Sequence, residues 1–519
     1  QPNFSAGIQA LDGTVLGLKF KEYDDVGGSI STLTIHFTNK LNNLSNTYKT
    51  PAIYMEGHAV VTNKCPVIPN RGIGKPGMCF IWERMMDRVA QALDLSPIEV
   101  RRKNLIQVNE MPYSTISGNV YDSGDYPGLL KTLLEKIDYD KLREEQKAAR
   151  AQGKLMGIGI VIGVEPGGRN AARDMAIFPE MKEPPGSGGV NGAKIKLEKN
   201  GTLTMHLGSP NCGQAHETST AQVAADILGA TPDKFSTTIP FDSDLSSWGV
   251  AAANSGNNFH LYDIGAIHGA ATKLREKILK LAAYNLKVEP TELTIEDSVV
   301  KVPGAAAKQI TFAELGRIAY NNQHLIPDDM EPGLEATFYY MFPHAKPNIV
   351  PAADRKVRAQ FTFSAGAHAA IVEVDKNTGS VHVKRYVIVG DNGTVINPDV
   401  VNGQVYGSAA HGIAVALGEG FMYSPEGQPL TITYLDYGKC SAAETPRVEV
   451  IHQPSPSPFT PLGQKAAGEG AAIPSPAAIA SAVEDALQPY GVKVCALPIT
   501  PEAVWRLIHH NPEKERRTF

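Results

Sequence analysis

Glu469 lies between Gly468 and Gly470 in a run of small residues, KAAGEGAA, where backbone and carboxylate can both approach a bound ligand closely. A lone acid in such a place is a candidate general base, provided that it is ionised at working pH. Gln214, in the loop GSPNCGQAHE, brings an amide that can donate a hydrogen bond without adding charge or titrating. Arg71 brings a fixed cation within the Gly/Pro loop PNRGIGKPG. Each residue also has a plain structural reading: a solvated loop acid, a cap for the helix that follows, a salt-bridged arginine. The five cysteines, Cys65, Cys79, Cys212, Cys440 and Cys495, include no C-x-x-C pair, so neither a zinc site nor an iron–sulfur cluster is written in this chain. Their odd number and wide spread suit a reducing compartment.

These side chains depend on the elements beside them. After Glu469, SPAAIASAVEDAL reads as an amphipathic helix with Ser475 at N-cap, Pro476 at N1, and Ile479, Val483 and Leu487 on one face. Two stretches then share a plan. AKIKLEKNGTLTMHLGS is a hairpin turning at Asn200-Gly201, followed by the Gln214 loop and a helix over about 218–228. AHAAIVEVDKNTGSVHVKRYVIVGDNG turns at 377–379 and leads through GDNGTVINPD into a helix over about 400–417. A repeated hairpin, glycine-rich loop and helix predicts two related α+β domains. Loops that precede helices present N–H groups and a positive dipole end, which are seats for an anionic cofactor.

Upstream, residues 1–70 read as β structure with a hairpin at Asp12-Gly13, followed by a helix to about Leu93 and a second one capped by Ser96-Pro97. Two polar-faced helices follow before residue 155. The glycines of KLMGIGIVIGVEPGG lie in a strand that continues through them, which excludes a dinucleotide fingerprint, and EPPGSGGVNG at 183–192 reads as a surface loop. With 519 residues there is room for two to four domains. A net charge of −5, from 49 basic and 54 acidic side chains, offers no footprint for nucleic acid or an anionic membrane. No apolar run approaches the roughly 18 residues of a membrane span and no signal peptide opens the chain, so a cytoplasmic protein is expected.

PSPFTPLGQKAAGEG followed by PAAIASAVEDAL resembles the C-terminal signature of the molybdenum hydroxylases, the xanthine oxidase and carbon monoxide dehydrogenase superfamily. Gly213-Gln214-Ala215-His216-Glu217-Thr218 resembles the family's Gly-Gln-Gly-His-Glu-Thr, with Ala215 in place of a Gly. Asp391-Asn392-Gly393, Asn397-Pro398 and Gly403-Gln404 match further motifs in family order, and Arg71 matches an Arg-Gly-aromatic-Gly loop. The resemblance implies an α+β fold of two related molybdopterin-binding domains, mixed sheets with packed helices, over 166–360 and 361–519, preceded by an incomplete region over 1–165. It implies that Glu469 is the catalytic base beside the molybdenum. Gln214, between Gly213 and Ala215, is implied to hydrogen-bond an oxo ligand of the metal, and the loop with Ala252, Ala253, Asn254 and Ser255 to wrap the pterin. Arg71, Asn397, Gln404, His411 and Gly468 are implied around the cofactor and substrate, His411 standing where many members carry Gln. The resemblance also implies a metal held by the pterin dithiolene rather than by protein ligands.

The implied cofactor is molybdopterin cytosine dinucleotide, with 2Fe–2S and FAD on partner subunits and a further chain carrying the N-terminal half. The implied reaction is oxidation of an electron-poor C–H of a small organic substrate, with water as the oxygen source. Ile73 stands where purine oxidisers carry a Phe, and residues 72–73 offer no thiol of the kind carbon monoxide oxidisers use, so both of those substrates are disfavoured. The competing readings are a non-catalytic scaffold, or a member performing hydration or reductive dehydroxylation.

Overall fold

Asp12 and Gly13, with φ of 50° and 86°, turn strand β1 (Asn3–Leu11) back onto β2 (Thr14–Gly27), the paired positive φ of a tight hairpin. The computed structural model describes residues 3–28, 39–170, 189–345 apart from 240, 250 and 253, then 356 and 358–509. A third strand, β3 (Ile53–Val61), runs parallel to β2 and completes the N-terminal sheet. Helices α1 (Lys75–Leu93), α2 (Pro97–Asn104), α3 (Tyr126–Ile137) and α4 (Tyr139–Ala151) follow. Ser96 starts α2 as expected, its side chain accepting from the Ile98 N–H at 3.2 Å. Trp82 and Met86 of α1 share one core with Phe20 of β2 and Ile160 of the next strand.

That strand, β4 (Leu155–Arg169), is buried at every position except Met156 and Arg169, which accounts for its largely apolar sequence. It pairs along its length with β9 (Gln360–Val374) and so spans residue 165 without a break. Between them come β5 (Val190–Leu197), β6 (Leu203–Leu207), helix α5 (His216–Leu228), β7 (Phe235–Ile239), the long helix α6 (Ile264–Leu286) and β8 (Glu335–Met341). After β9 come β10 (Val381–Asp391), α7 (Pro398–Leu417), β11 (Val448–His452) and α8 (Ser475–Ala486). Of the loop expected at 183–192, residues 183–188 lie outside the described residues and 190–192 belong to β5.

The predicted repeat is present and extends further than the sequence displays. The two sheets have the orders β8-β5-β6-β7 and β4-β9-β10-β11. In each, a hairpin is followed by a helix and then by a strand parallel to the second strand of the hairpin. A second helix then crosses the sheet, α6 over β5 and β8, α8 over β4 and β9. The outer strand arrives differently: β8 follows its crossing helix, whereas β4 precedes its hairpin.

Helix α8 corrects two expectations. Ser475 is not the N-cap: Pro474 holds that position, because a 3-10 turn over Gly470–Ala472 runs almost directly into the helix. The Ser475 hydroxyl instead donates to the Ala471 carbonyl at 2.5 Å and accepts from Tyr386 at 2.8 Å. Nor is the helix amphipathic, since every residue from Ser475 to Ala486 except Asp485 is buried between the sheet, α1 and α7. Its alanines and the glycines of β4 serve close approach. A Cβ on Gly159 would lie 2.1 Å from the Ala478 carbonyl oxygen. Gly159→Ala should therefore destabilise by about 1–3 kcal/mol through overpacking, read as a lower urea midpoint at unchanged slope.

Candidate active site

The loops that leave β6, β7, β10 and β11 close on one cavity of about 420 Å³, a volume suited to a small molecule or part of a cofactor. Gly213, Gln214, Asn254, Asn397, Gln404, Gly468, Glu469 and Arg71 all line it. Ala215, Ala252, Ser255 and His411 are not in its wall, and Ala253 lies outside the described residues. His411 sits about two turns beyond Gln404 along α7, its Nε2 4.0 Å from Glu419.

The Gly468-Glu469 segment is held from three sides. The Arg71 Nε donates to the Gly468 carbonyl at 2.6 Å, while the guanidinium also reaches the Gln404 side-chain oxygen at 2.7 Å. The Glu469 N–H donates to Glu165 Oε1 at 2.5 Å. The Glu469 carboxylate accepts from the Lys75 ammonium at 2.5 Å, with its side chain only 15% exposed. Both flanking glycines are needed for this approach. A Cβ on Gly468 would meet Asn257 at 2.4 Å and one on Gly470 would meet Glu165 at 2.6 Å. Glu165 itself is buried, and burial pushes its carboxyl up, with the Glu469 charge adding to the shift. Burial likewise pushes the Arg71 guanidinium down, against the pull of Glu165 and Glu469. In the same loop Ile73 takes φ 30°, a positive value rare for a β-branched residue.

Gln214 does not cap α5. Its side-chain oxygen accepts from the Cys212 N–H at 2.7 Å, which leaves the amide NH₂ as the donor available at the cavity. The N-cap residue is Ala215, with no side-chain cap and with φ 56° and ψ 43°, a left-handed conformation in which its Cβ is strained. Ala215→Gly should thus stabilise the fold by about 1 kcal/mol, read by thermal unfolding. Asn254 ties this loop to its neighbour by donating to the Pro210 carbonyl at 2.7 Å. Asn397 caps α7 through the Val400 N–H at 3.0 Å and donates to Gln222 of α5 at 2.8 Å, joining the two repeat units.

Sequence reasoning missed several residues here. Lys75 is the first residue of α1, where the helix dipole disfavours a cation, and Glu165 is the one acid in an apolar strand; each was a sign of a buried partner. His216 stacks on Phe259 with ring centroids 3.5 Å apart, and burial pushes it down to about 4. Phe259 opens a π-helical turn, Phe259–Asp263, at the head of α6.

Residues 132–446 and residues 4–105 each match a molybdopterin cofactor-binding domain. The chain belongs to the molybdopterin cofactor-binding domains of the xanthine oxidase and carbon monoxide dehydrogenase family. Within that family it is 33% identical to the nicotine 6-hydroxylase large subunit of Paenarthrobacter nicotinovorans over 462 residues, 88% of this chain and 53% of that one. It is 32% identical to the carbon monoxide dehydrogenase large chain of Hydrogenophaga pseudoflava, over 96% of this chain and 60% of that one. The crystal structure of quinoline 2-oxidoreductase from Pseudomonas putida 86 superposes with a TM-score of 0.85 at 31% identity, covering 98% of this chain and 62% of that one. The chain thus spans little more than half the length of these relatives.

The cavity fits such a cofactor on its own chemistry. Asn254 Oδ1 and His216 Nδ1 are buried at its wall without a hydrogen-bond partner, and α5 and α7 both begin there. Among the described residues, no three His, Cys, Asp or Glu side chains converge as metal ligands.

Proposed function

We propose that this chain is the C-terminal part of the molybdenum subunit of a hydroxylase or dehydrogenase that oxidises an electron-poor C–H of a small organic substrate with water as oxygen source. The observation that carries the proposal is that the Gln214 amide and the Glu469 carboxylate, 255 positions apart by subtraction of their numbers, line one cavity. When bound, molybdopterin supplies a redox metal centre. The protein contributes the rest. Gln214 offers a neutral donor, and Asn254 and His216 offer unpaired polar atoms at the wall. Asn397 starts α7 at the cavity and so directs its N–H groups there. Glu469 takes up a proton at its carboxylate, screened from bulk water by its loop.

The cytosine dinucleotide form of the cofactor, a chain carrying the N-terminal half, iron–sulfur and FAD partner subunits and a cytoplasmic site belong to the same proposal. Relatives named a large subunit, a large chain and a complex subunit gamma support a multi-chain assembly. Ile73 in the Arg71 loop supports a substrate that is neither a purine nor carbon monoxide. Molybdenum and pterin nucleotide analysis of the native complex tests the reading. About one equivalent of each per copy of this chain is expected, and a complex active without either would overturn it in favour of a scaffold.

A further inference from the structure

Lys75 and Glu165 contact the candidate base without lining the cavity themselves. The Lys75 ammonium is buried, with its residue 2% exposed, and its hydrogen bonds go to Glu469 Oε2 and to the Pro166 carbonyl at 3.3 Å. Its backbone is pinned as well, since Asn43 donates to the Lys75 carbonyl at 3.1 Å. Glu165 is equally buried and holds its position through Asn257 Nδ2 at 2.8 Å and Ser364 Oγ at 3.1 Å, while its Oε1 takes the Glu469 N–H. The charged groups facing Glu469 are therefore Lys75 from α1, Glu165 from β4 and Arg71 from the loop before α1. Two cations oppose two carboxylates in a place from which water is largely excluded.

We propose that Lys75 and Glu165 are positioning residues that clamp the base at both ends, Lys75 through the Glu469 carboxylate and Glu165 through its backbone N–H. A glycine-flanked residue has backbone freedom that would let its side chain wander. The contacts remove that freedom and hold the carboxylate in one place at the cavity wall. Lys75 is thus a specific requirement of the chemistry rather than a general support of the fold.

The inference rests on the assignment of Glu469 as base, and the test separates the two. In the native complex, Lys75→Met should lower kcat by about 10- to 100-fold with KM changed less than 3-fold, at unchanged molybdenum content. Lys75→Gln, too short to reach the Glu469 carboxylate as the ammonium does, should show the same loss of kcat at nearly unchanged KM, and it carries the test if the methionine variant does not assemble. Lys75→Arg, which keeps a donor for the Glu469 carboxylate, should restore kcat to within a few-fold of wild type. Glu165→Gln retains an oxygen for the Glu469 N–H and should hold kcat within a few-fold, whereas Glu165→Ala should not. Thermal unfolding of the complex gives a readout independent of turnover: Lys75→Met and Glu469→Gln combined should lower the transition by less than the sum of the two single changes. If Glu469→Gln is inactive while Lys75→Met keeps wild-type kcat, the clamp is wrong and the base stands. If Glu469→Gln retains turnover, the base assignment fails and the clamp falls with it.

Discussion

Replacing Glu469 by glutamine should reduce kcat by about 10²–10⁴-fold while molybdenum and pterin remain at wild-type levels. The expectation follows from elimination at the cavity wall as well as from the position of the loop. Glu469 is the sole carboxylate among the described residues that line the cavity. The other candidates for a proton acceptor are poor ones. Burial pushes both His216 and His260 down to about 4, and both ring nitrogens of His260 are already engaged, by the Asn257 carbonyl and by Thr362. Lys465 is committed to Asp391 at 3.0 Å. Glutamine keeps the shape and an oxygen that can accept from Lys75, so the pocket should persist while the proton acceptor is lost. Near-normal turnover in this variant would remove Glu469 from the chemistry.

The second large effect should be on stability. Glu484, on α8, is buried and accepts from Arg84 and Arg88 of α1, from Gln91 at 2.9 Å and from the Val494 N–H at 2.7 Å. Removing the carboxylate charge takes from Arg88 its ion-pair partner and leaves Arg84 only Asp87, at 2.7 Å, and Glu484→Gln should destabilise by about 3–5 kcal/mol. Burial pushes the Glu484 carboxyl up, but Arg88 and Arg84 outweigh it and hold the group below its ordinary 4.5. A depressed folded-state value contributes stability above the unfolded value and loses it as pH falls through the folded one. The difference between wild type and variant should therefore be full above pH 4.5 and shrink below it, measured by urea unfolding across that range. The cluster matters to the site because α1 begins with Lys75 and α8 follows Glu469, so it ties the helix of the lysine to the helix behind the candidate base.

What the sequence made legible was local. Asp12-Gly13 and Asn200-Gly201 announce their hairpins because few residues other than glycine and its small polar neighbours tolerate positive φ, and the helices after 215 and 397 begin within two residues of expectation. Ser475-Pro476 misled because Ser-Pro usually opens a helix; the preceding 3-10 turn, held by burial on every side, supplied the helix start instead. Burial on all faces also hid α8 behind what looked like an amphipathic pattern.

The loops that converge at the cavity were readable through their motifs. The groups that hold Glu469 were not, since Lys75 and Glu165 come from 394 and 304 residues away along the chain. No local propensity encodes pairings at that separation. The unpaired character of a lysine at a helix start and an acid in an apolar strand was the only trace they left. The exchange of outer strands between the repeat units was hidden for the same reason, because β4 and β8 occupy matching places but arrive from opposite directions in the sequence.

Anomalous diffraction at the molybdenum edge from crystals of the native complex should show a single metal peak per copy of this chain inside the cavity, between the Gln214 amide and the Glu469 carboxylate. A peak located away from those two residues, with Glu469 turned from it, would contradict the account.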